Sequence, residues 1–286
     1  MTPRIVRTLD ELRSVTSAWR LAGQTHALVP TMGALHEGHL ALVRLARQHA
    51  KRVVVSIFVN PAQFGPAEDL ARYPRDEAGD AAKLATVDCD LIWLPDAAEM
   101  YPPGFATRIV PEGAARGLET DFRPEFFAGV ATVCCKLFTQ VAPMAAIFGE
   151  KDYQQLCVVR QLVRDLNLPL DIIGAPTIRE PDGLAMSSRN RYLTPQERLI
   201  APVLHRQLTQ AATSIEAGHR MSIACARARD ALCKAGFKVD YLTLRDATTL
   251  APIDNLTGQP LRLLATAWLD KTRLIDNIAV LPPKGT

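Results

Sequence analysis

Two histidines three residues apart, with a glycine between them, mark the stretch with the most chemical promise: Pro30-Thr31-Met32-Gly33-Ala34-Leu35-His36-Glu37-Gly38-His39. The apolar run from Thr25 to Val29 reads as a buried strand leading in. From His39 to Lys51, Leu42, Leu45 and Ala46 recur at helical spacing. A strand-to-helix junction offers unpaired backbone N–H groups and the positive end of a helix dipole, which suits phosphate. Glycine lets the backbone come close to such a ligand. Gly33 to Leu40 nearly fits the Walker A spacing, but His39 stands where lysine belongs and Leu40 where the magnesium-binding hydroxyl belongs. A zinc-protease reading needs histidines four apart with a glutamate after the first, and fails. What remains is a pair of imidazoles able to meet α- and β-phosphate oxygens and to stabilise the charge that grows as a nucleophile attacks the α-phosphorus. The plainer alternative is two capping histidines beside a glycine turn.

Three further segments carry polar side chains in similar places. Phe58 to Gly65 follows the next strong strand, and Asn60 and Gln63 offer amides suited to the hydroxyl and carboxylate groups of a small substrate. Phe148 to Leu156 is again a strand end opening into a helix. There Lys151 supplies a point charge for phosphate, and Asp152 is either an acceptor for a ribose hydroxyl or a helix cap. Gln155 lies one helical turn beyond Lys151 and can share its face. Asp182 to Arg191 gathers Ser187, Ser188 and Arg189 as phosphate donors, with Met186 as a surface for a base or simply a packing group.

The elements that must hold these segments alternate. Thr8-Leu9-Asp10-Glu11 has capping-box form for a helix running towards Ala22, closed by Gly23. Val53 to Val59 is a continuous apolar run of the kind buried on both faces. Helices are expected at 76–85, 126–141 and 152–166, with strands at 91–94, 145–148 and 170–173. Repeated β-α-β units imply a parallel sheet with helices on both faces, and ligands bind beyond the carboxyl ends of its strands. After Pro176 the pattern changes. Thr194-Pro195-Gln196-Glu197 opens a helix expected to run to Ala217, and another is expected over 222–235. Strands are expected at 239–244, 261–269 and 274–281. The expected architecture is therefore α/β: a Rossmann-like parallel-sheet domain over 1–176 and a smaller C-terminal α+β domain over 177–286.

Composition bounds the rest. The 286 residues are 48% hydrophobic, enough for a sizeable core. A net charge of +3 and a pI near 8.6 give no electrostatic footprint for nucleic acid. No long apolar run reads as a signal peptide or membrane span. The six cysteines show no C-x-x-C pair and no zinc spacing, and most sit in apolar segments as small hydrophobes. Adjacent Cys134 and Cys135 allow a redox reading, but a reducing cytoplasm is the simpler setting.

H-x-G-H at a strand-to-helix turn resembles the nucleotidylyltransferase superfamily, and the Met186 to Arg189 loop resembles that superfamily's K-M-S-K-S loop. The four segments together, P-T-M-G-A-L-H-E-G-H, F-V-N-P-x-Q-F, G-E-K-D-Y-Q-Q-L and D-G-L-A-M-S-S-R-N-R-Y-L, are similar to the pantoate–β-alanine ligase family. Similarity continues through 69–75, 129–137 and 267–277. The resemblance implies condensation of ATP, (R)-pantoate and β-alanine to pantothenate, AMP and pyrophosphate through an acyl adenylate, with Mg2+ on the ATP phosphates. It places ATP against Met32, Gly33, Ala34, Leu35, His36, Glu37, Gly38 and His39, against Gly149, Glu150, Lys151 and Asp152, and against Ile178, Met186, Ser187, Ser188 and Arg189. His39, His36 and Lys151 take the catalytic roles. Gln63 and Gln155 hold pantoate, bordered by Asn60 and Tyr73, and Asp80 is a weaker candidate for a magnesium contact. The resemblance further implies a lid role for 177–286 and a homodimer. One departure stands out: Phe126 replaces a histidine common in the family. Competing readings are a different H-x-G-H nucleotidylyltransferase acting on a cofactor precursor, and a non-catalytic nucleotide-binding or tRNA-related module. The former should lack F-V-N-P-x-Q-F and G-E-K-D-Y-Q-Q-L together. The latter should carry a basic face.

Overall fold

The computed structural model of the chain describes residues 2–65, 70, 73–253 and 258–281. Asp69, Ala71 and Arg72, from the 69–75 run of family similarity, lie outside them. The chain divides into two compact units, Met1–Glu150 with Gln154–Pro176, and Lys151–Tyr153 with Thr177–Thr286.

The first unit alternates strands and helices: β1 (Arg4–Val6), α1 (Leu9–Leu21), β2 (His26–Thr31), α2 (Glu37–His49), β3 (Arg52–Ile57), α3 (Glu77–Ala85), β4 (Leu91–Trp93), and the short α4 (Ala97–Met100) and α5 (Glu119–Phe122). After these come α6 (Phe126–Val141), β5 (Ala145–Gly149), α7 (Tyr153–Asp165) and β6 (Asp171–Ala175). The six strands form one parallel sheet in the order β1-β4-β3-β2-β5-β6. Thr8 caps α1 through the capping box visible in the sequence. Strand alternation divides the apolar residues between the faces. Ala27, Val29, Val53 and Val55 join Leu42, Val43 and Ala46 of α2 in one core. Leu28 and Val54, equally buried, face the other way, so both faces are covered. This is the expected doubly covered sheet.

The strand order reverses about β2, because β3 lies on one side of it and β5 on the other. Pairing between β2 and β5 stops at Leu28, two residues before Pro30, which has no N–H to give. β5 continues against β6 as far as Gly149. The carboxyl ends of β2 and β5 therefore part at the switch point, where α/β sheets bind ligands.

The second unit contains α8 (Pro195–Ile200), α9 (Val203–Glu216), α10 (Met221–Lys234), β7 (Phe237–Asp246), β8 (Leu261–Leu269) and β9 (Thr272–Val280). The strands make an antiparallel β7-β8-β9 sheet. α9 and α10 close one core over it with Leu204, Leu208, Leu232, Leu263 and Ala265. The single helix expected over 195–217 is two. The break falls at Ala201-Pro202, since Pro202 lacks the N–H that an unbroken helix would use. β1, only three residues and largely exposed, was too short to give a periodic signal.

Candidate active site

The turn between β2 and α2 is built by two residues with left-handed backbone, Gly33 (φ +83°) and Ala34 (φ +52°). Such a φ is costly for alanine, about 1–2 kcal/mol, so something must hold it. Leu35 is buried in the core, and Glu37 pairs with Arg44 at the exposed start of α2. His36 is the N-cap of α2 and His39 sits in its first turn. The rings stand 4.1 Å apart, and the His36 backbone N–H donates to His39 Nδ1 at 3.3 Å. With Nδ1 accepting, the neutral His39 ring carries its proton on Nε2, which makes that nitrogen a donor.

Asp80, the weaker candidate for a magnesium contact, is engaged by the histidine turn. It is 1% exposed, and its two carboxylate oxygens accept the N–H groups of Ala34 and Leu35, each at 2.8 Å. The ammonium of Lys83 lies 3.7 Å away and donates to the Leu35 carbonyl at 2.9 Å. A cation at this carboxylate would compete with two amides and a lysine, so these residues do not fit a metal site. Among the described residues no group of three or more His, Cys, Asp or Glu side chains is placed to hold a metal ion.

Beyond β3, a short 3-10 turn at Pro61–Gln63 carries the amide residues. Asn60 is 1% exposed and fully committed. Its Nδ2 donates to Gln63 Oε1 and to the Gly129 carbonyl, both at 3.2 Å. Its Oδ1 accepts from the Ala62 N–H at 3.2 Å and from the Tyr101 hydroxyl at 2.8 Å. Asn60 therefore orients Gln63. The Gln63 Nε2 also meets Met32 Sδ at 2.9 Å, which ties this pocket to the histidine turn. Tyr73 is buried, with its ring edge-on to Phe64. Arg123 donates to the Gln63 carbonyl at 3.2 Å, and its guanidinium lies 3.7 Å over the ring of Phe126. The residue that departs from the family pattern is thus a platform for the arginine behind Gln63. Tyr101 and Arg123 were not singled out from the sequence as site residues, and Gly129 entered only as the start of a run of family similarity, because their contacts reach across 41 to 69 residues.

On α7, neighbouring glutamines divide their work. Gln154 is buried and holds the 114–119 loop through Glu119 N–H, Ala114 O and Gly117 O, while Gln155 is half-buried on the next face. Gly149 and Glu150, where β5 ends, are half-buried as well.

In the second unit, Lys151 is largely covered, with its ammonium 3.6 Å from the exposed Asp152 carboxylate. Asn277 of β9 donates to the Lys151 carbonyl at 2.8 Å and accepts from Arg262 Nε at 2.6 Å. Residues 178–186 form a small hairpin: Met186 N–H donates to Ile178 O, Arg179 bridges Ala185, and Gly183 turns the chain at φ +93°. The two residues expected near an adenine are therefore hydrogen-bonded neighbours. Ser187 then caps the 3-10 turn at Ser188–Tyr192 by accepting from Arg189 N–H.

The hairpin is anchored by Asp276 on β9. Arg179 reaches it with both guanidinium nitrogens, at 2.7 and 2.9 Å, and His205 Nδ1 stands 3.4 Å off. Burial works to raise the Asp276 pKa, but the neighbouring imidazole and the Arg179 guanidinium outweigh it and hold the carboxyl below its ordinary range. A carboxyl depressed on folding stabilises fully above its unfolded pKa, and that stability is lost as pH falls through the folded value. Thermal stability should therefore drop steeply below about pH 4. Asp276→Asn should unfold at lower temperature near neutrality, with a flatter profile in acid. Parallel melting-versus-pH curves for the two proteins would remove Asp276 from this account.

All six cysteines are free, and burial pushes the Cys134 thiol up to about 12, as befits a packing group. Among the described residues no helix is long and apolar enough to cross a membrane.

Comparison with known proteins identifies the family. The pantoate-beta-alanine ligase family model matches residues 4–279. Pantothenate synthetase from Rhodopseudomonas palustris (strain BisA53) is 56% identical over 280 residues, covering 98% of this chain and 99% of that one. The crystal structure of pantothenate synthetase from Thermus thermophilus superposes with a TM-score of 0.90 at 46% identity, over 98% of this chain and 100% of that one. Pantoate-beta-alanine ligase from Francisella tularensis, solved in complex with beta-gamma ATP and beta-alanine, gives a TM-score of 0.81 at 33% identity over 97% of each chain. With matches of this length and identity, the chain belongs to the pantoate–β-alanine ligase family.

Proposed function

We propose that the chain joins (R)-pantoate to β-alanine with cleavage of ATP, releasing pantothenate, AMP and pyrophosphate. The observation that carries this reading is the contact of Gln63 Nε2 with Met32 Sδ, which joins the Gln63 pocket to the histidine turn at the carboxyl ends of β3 and β2, with Gly149-Glu150 at the end of the neighbouring β5. Adjacent strands deliver them there, at the switch point of the sheet.

A free carboxylate resists attack by an amine. In the first step a pantoate carboxylate oxygen bonds to the α-phosphorus as the bond to the β-phosphate oxygen breaks, and pyrophosphate leaves. Magnesium enters with the substrate, as MgATP. The backbone N–H groups at the start of α2 receive phosphate oxygens. His39 donates from Nε2, and His36 and Lys151 add positive character as charge develops. In the second step the β-alanine amine attacks the carbonyl carbon of the mixed anhydride, the bond to the phosphate oxygen breaks, and AMP departs as the nitrogen loses its proton. Gln63 and Gln155 hold pantoate, Asn60 fixes Gln63, and Tyr73 lines the pocket. Orientation of this kind is a large part of the expected acceleration. Ile178, Met186, Ser187, Ser188 and Arg189 are assigned to the nucleotide, and residues 177–286 take the part of a lid. A cytoplasmic homodimer completes the proposal.

The test is pyrophosphate release with MgATP and pantoate, with and without β-alanine. Sustained turnover is expected only with both organic substrates, and at most a single equivalent without the amine. Turnover with another acid or a phosphorylated nucleotide precursor, and none with pantoate, would sink the proposal.

A further inference from the structure

We infer that Asp80 and Lys83 form an ionic clasp that positions the phosphate-binding turn, with Asp80 acting as its anionic brace and not as a metal ligand. The inference rests on the ATP reading above and concerns how that site is kept in shape. Gly33 and Ala34 both have left-handed backbone, and alanine reaches that region only under constraint. The constraint is visible. Both oxygens of Asp80 are taken by successive N–H groups, those of Ala34 and Leu35. Lys83, one turn further along α3, takes the Leu35 carbonyl, which belongs to the peptide leading into His36. The clasp thus grips both sides of Leu35 and sets where α2 begins, with its donor groups and both histidines. The space is tight as well: a Cβ on Gly33 would stand 3.0 Å from Asp80 Oδ2.

Charge suits the role. A buried carboxylate next to a phosphate site would repel its ligand. Here the negative charge is taken up by two amides, and the lysine ammonium 3.7 Å away offsets it. The sequence shows Asp80 and Lys83 only as an ordinary i, i+3 pair on an amphipathic helix, so the clasp could not be read there.

The experiment measures ATP binding by calorimetry in EDTA, and steady-state constants for ATP, pantoate and Mg2+, on Asp80→Asn, Lys83→Met and the double variant Asp80→Asn/Ala34→Gly. Asp80→Asn should weaken metal-free ATP binding by roughly ten- to a hundredfold, the size of a lost charge-assisted contact. The pantoate KM and the half-activating Mg2+ concentration at saturating ATP should stay put. Glycine at 34 reaches the left-handed region freely, so the double variant should regain part of the lost ATP affinity. Unchanged ATP binding in EDTA, together with a raised Mg2+ requirement, would overturn the clasp in favour of a metal contact. Should Asp80→Asn fail to fold, Lys83→Met decides, since Lys83 is 41% exposed and its loss leaves the core intact. It should cost roughly three- to tenfold in metal-free ATP affinity, and parent-like binding would overturn the inference.

Discussion

His39→Ala should fold normally and lose roughly 10²–10³-fold in the rate of adenylation, the usual loss when one transition-state donor is removed. The geometry gives the reason. His39 is held with Nδ1 accepting the His36 N–H, which leaves the proton on Nε2. The replacement removes that donor and one contact at the helix start, which costs stability of about 1 kcal/mol or less. The side chain is only half-buried, so no large cavity opens. Single-turnover formation of pyrophosphate from MgATP and pantoate isolates the first step. Glutamine and asparagine sharpen the test. The glutamine amide nitrogen can reach the position of Nε2, and the asparagine amide nitrogen can reach only that of Nδ1. His39→Gln should therefore retain more activity than His39→Asn. A folded alanine variant that forms adenylate within about threefold of the parent would exclude a donor role of this size, and equal rates for the two amides would exclude the tautomer.

Much of the frame was legible because its signals are local. The capping boxes at Thr8 and Thr194 are present in the structure, as is the apolar run that became β3. α6 spans the residues expected of it, since its apolar positions repeat over four turns. Three of the four motif segments were legible for the same reason, since each joins a strand end to a turn or helix start within about ten residues; the fourth, at 182–191, follows an isolated hairpin. What could not be read is the work done between segments. Ala34 and Asp80 are 46 residues apart, Arg179 and Asp276 are 97 apart, and Lys151 and Asn277 are 126 apart. A hydrogen bond across such a separation leaves no periodicity in a single sequence. Asn60 shows the consequence. Its residue type and place suggested a substrate contact, yet burial and four hydrogen bonds make it the support for Gln63. The resemblance offers Asp80 as a weaker candidate for a magnesium contact, and in the structure both its oxygens accept N–H groups of the histidine turn. Motif residues announce the site, and the residues that shape it are recognised only through their partners.

Gly129→Ala is the expected case where local and tertiary demands conflict most. Gly129 lies inside α6, where alanine is favoured over glycine by about 1 kcal/mol, so propensity alone predicts a more stable protein. The packing predicts the reverse. A Cβ at this position would stand 2.2 Å from the Ala62 carbonyl oxygen, 2.5 Å from its carbon and 2.7 Å from Gln63 N. These are backbone atoms, so no side chain can swing aside, and either α6 or the 60–63 turn must move. The displaced turn carries Gln63, and the Asn60 bond to the Gly129 carbonyl is lost with it. Overpacking of this kind costs about 1–3 kcal/mol of stability. A misplacement of about 1 Å in a positioning group costs roughly 10²-fold in rate. The variant should therefore melt below the parent despite its better helix former. It should lose roughly 10²-fold in kcat/KM for pantoate, while ATP binding measured without pantoate changes far less, because the histidine turn is clasped separately by Asp80. The kinetic split separates a local defect from general loosening: equal losses for both substrates would mean that the whole sheet edge had shifted. A variant as stable and as active as the parent would mean that α6 and the 60–63 turn do not meet as closely as this structure has them.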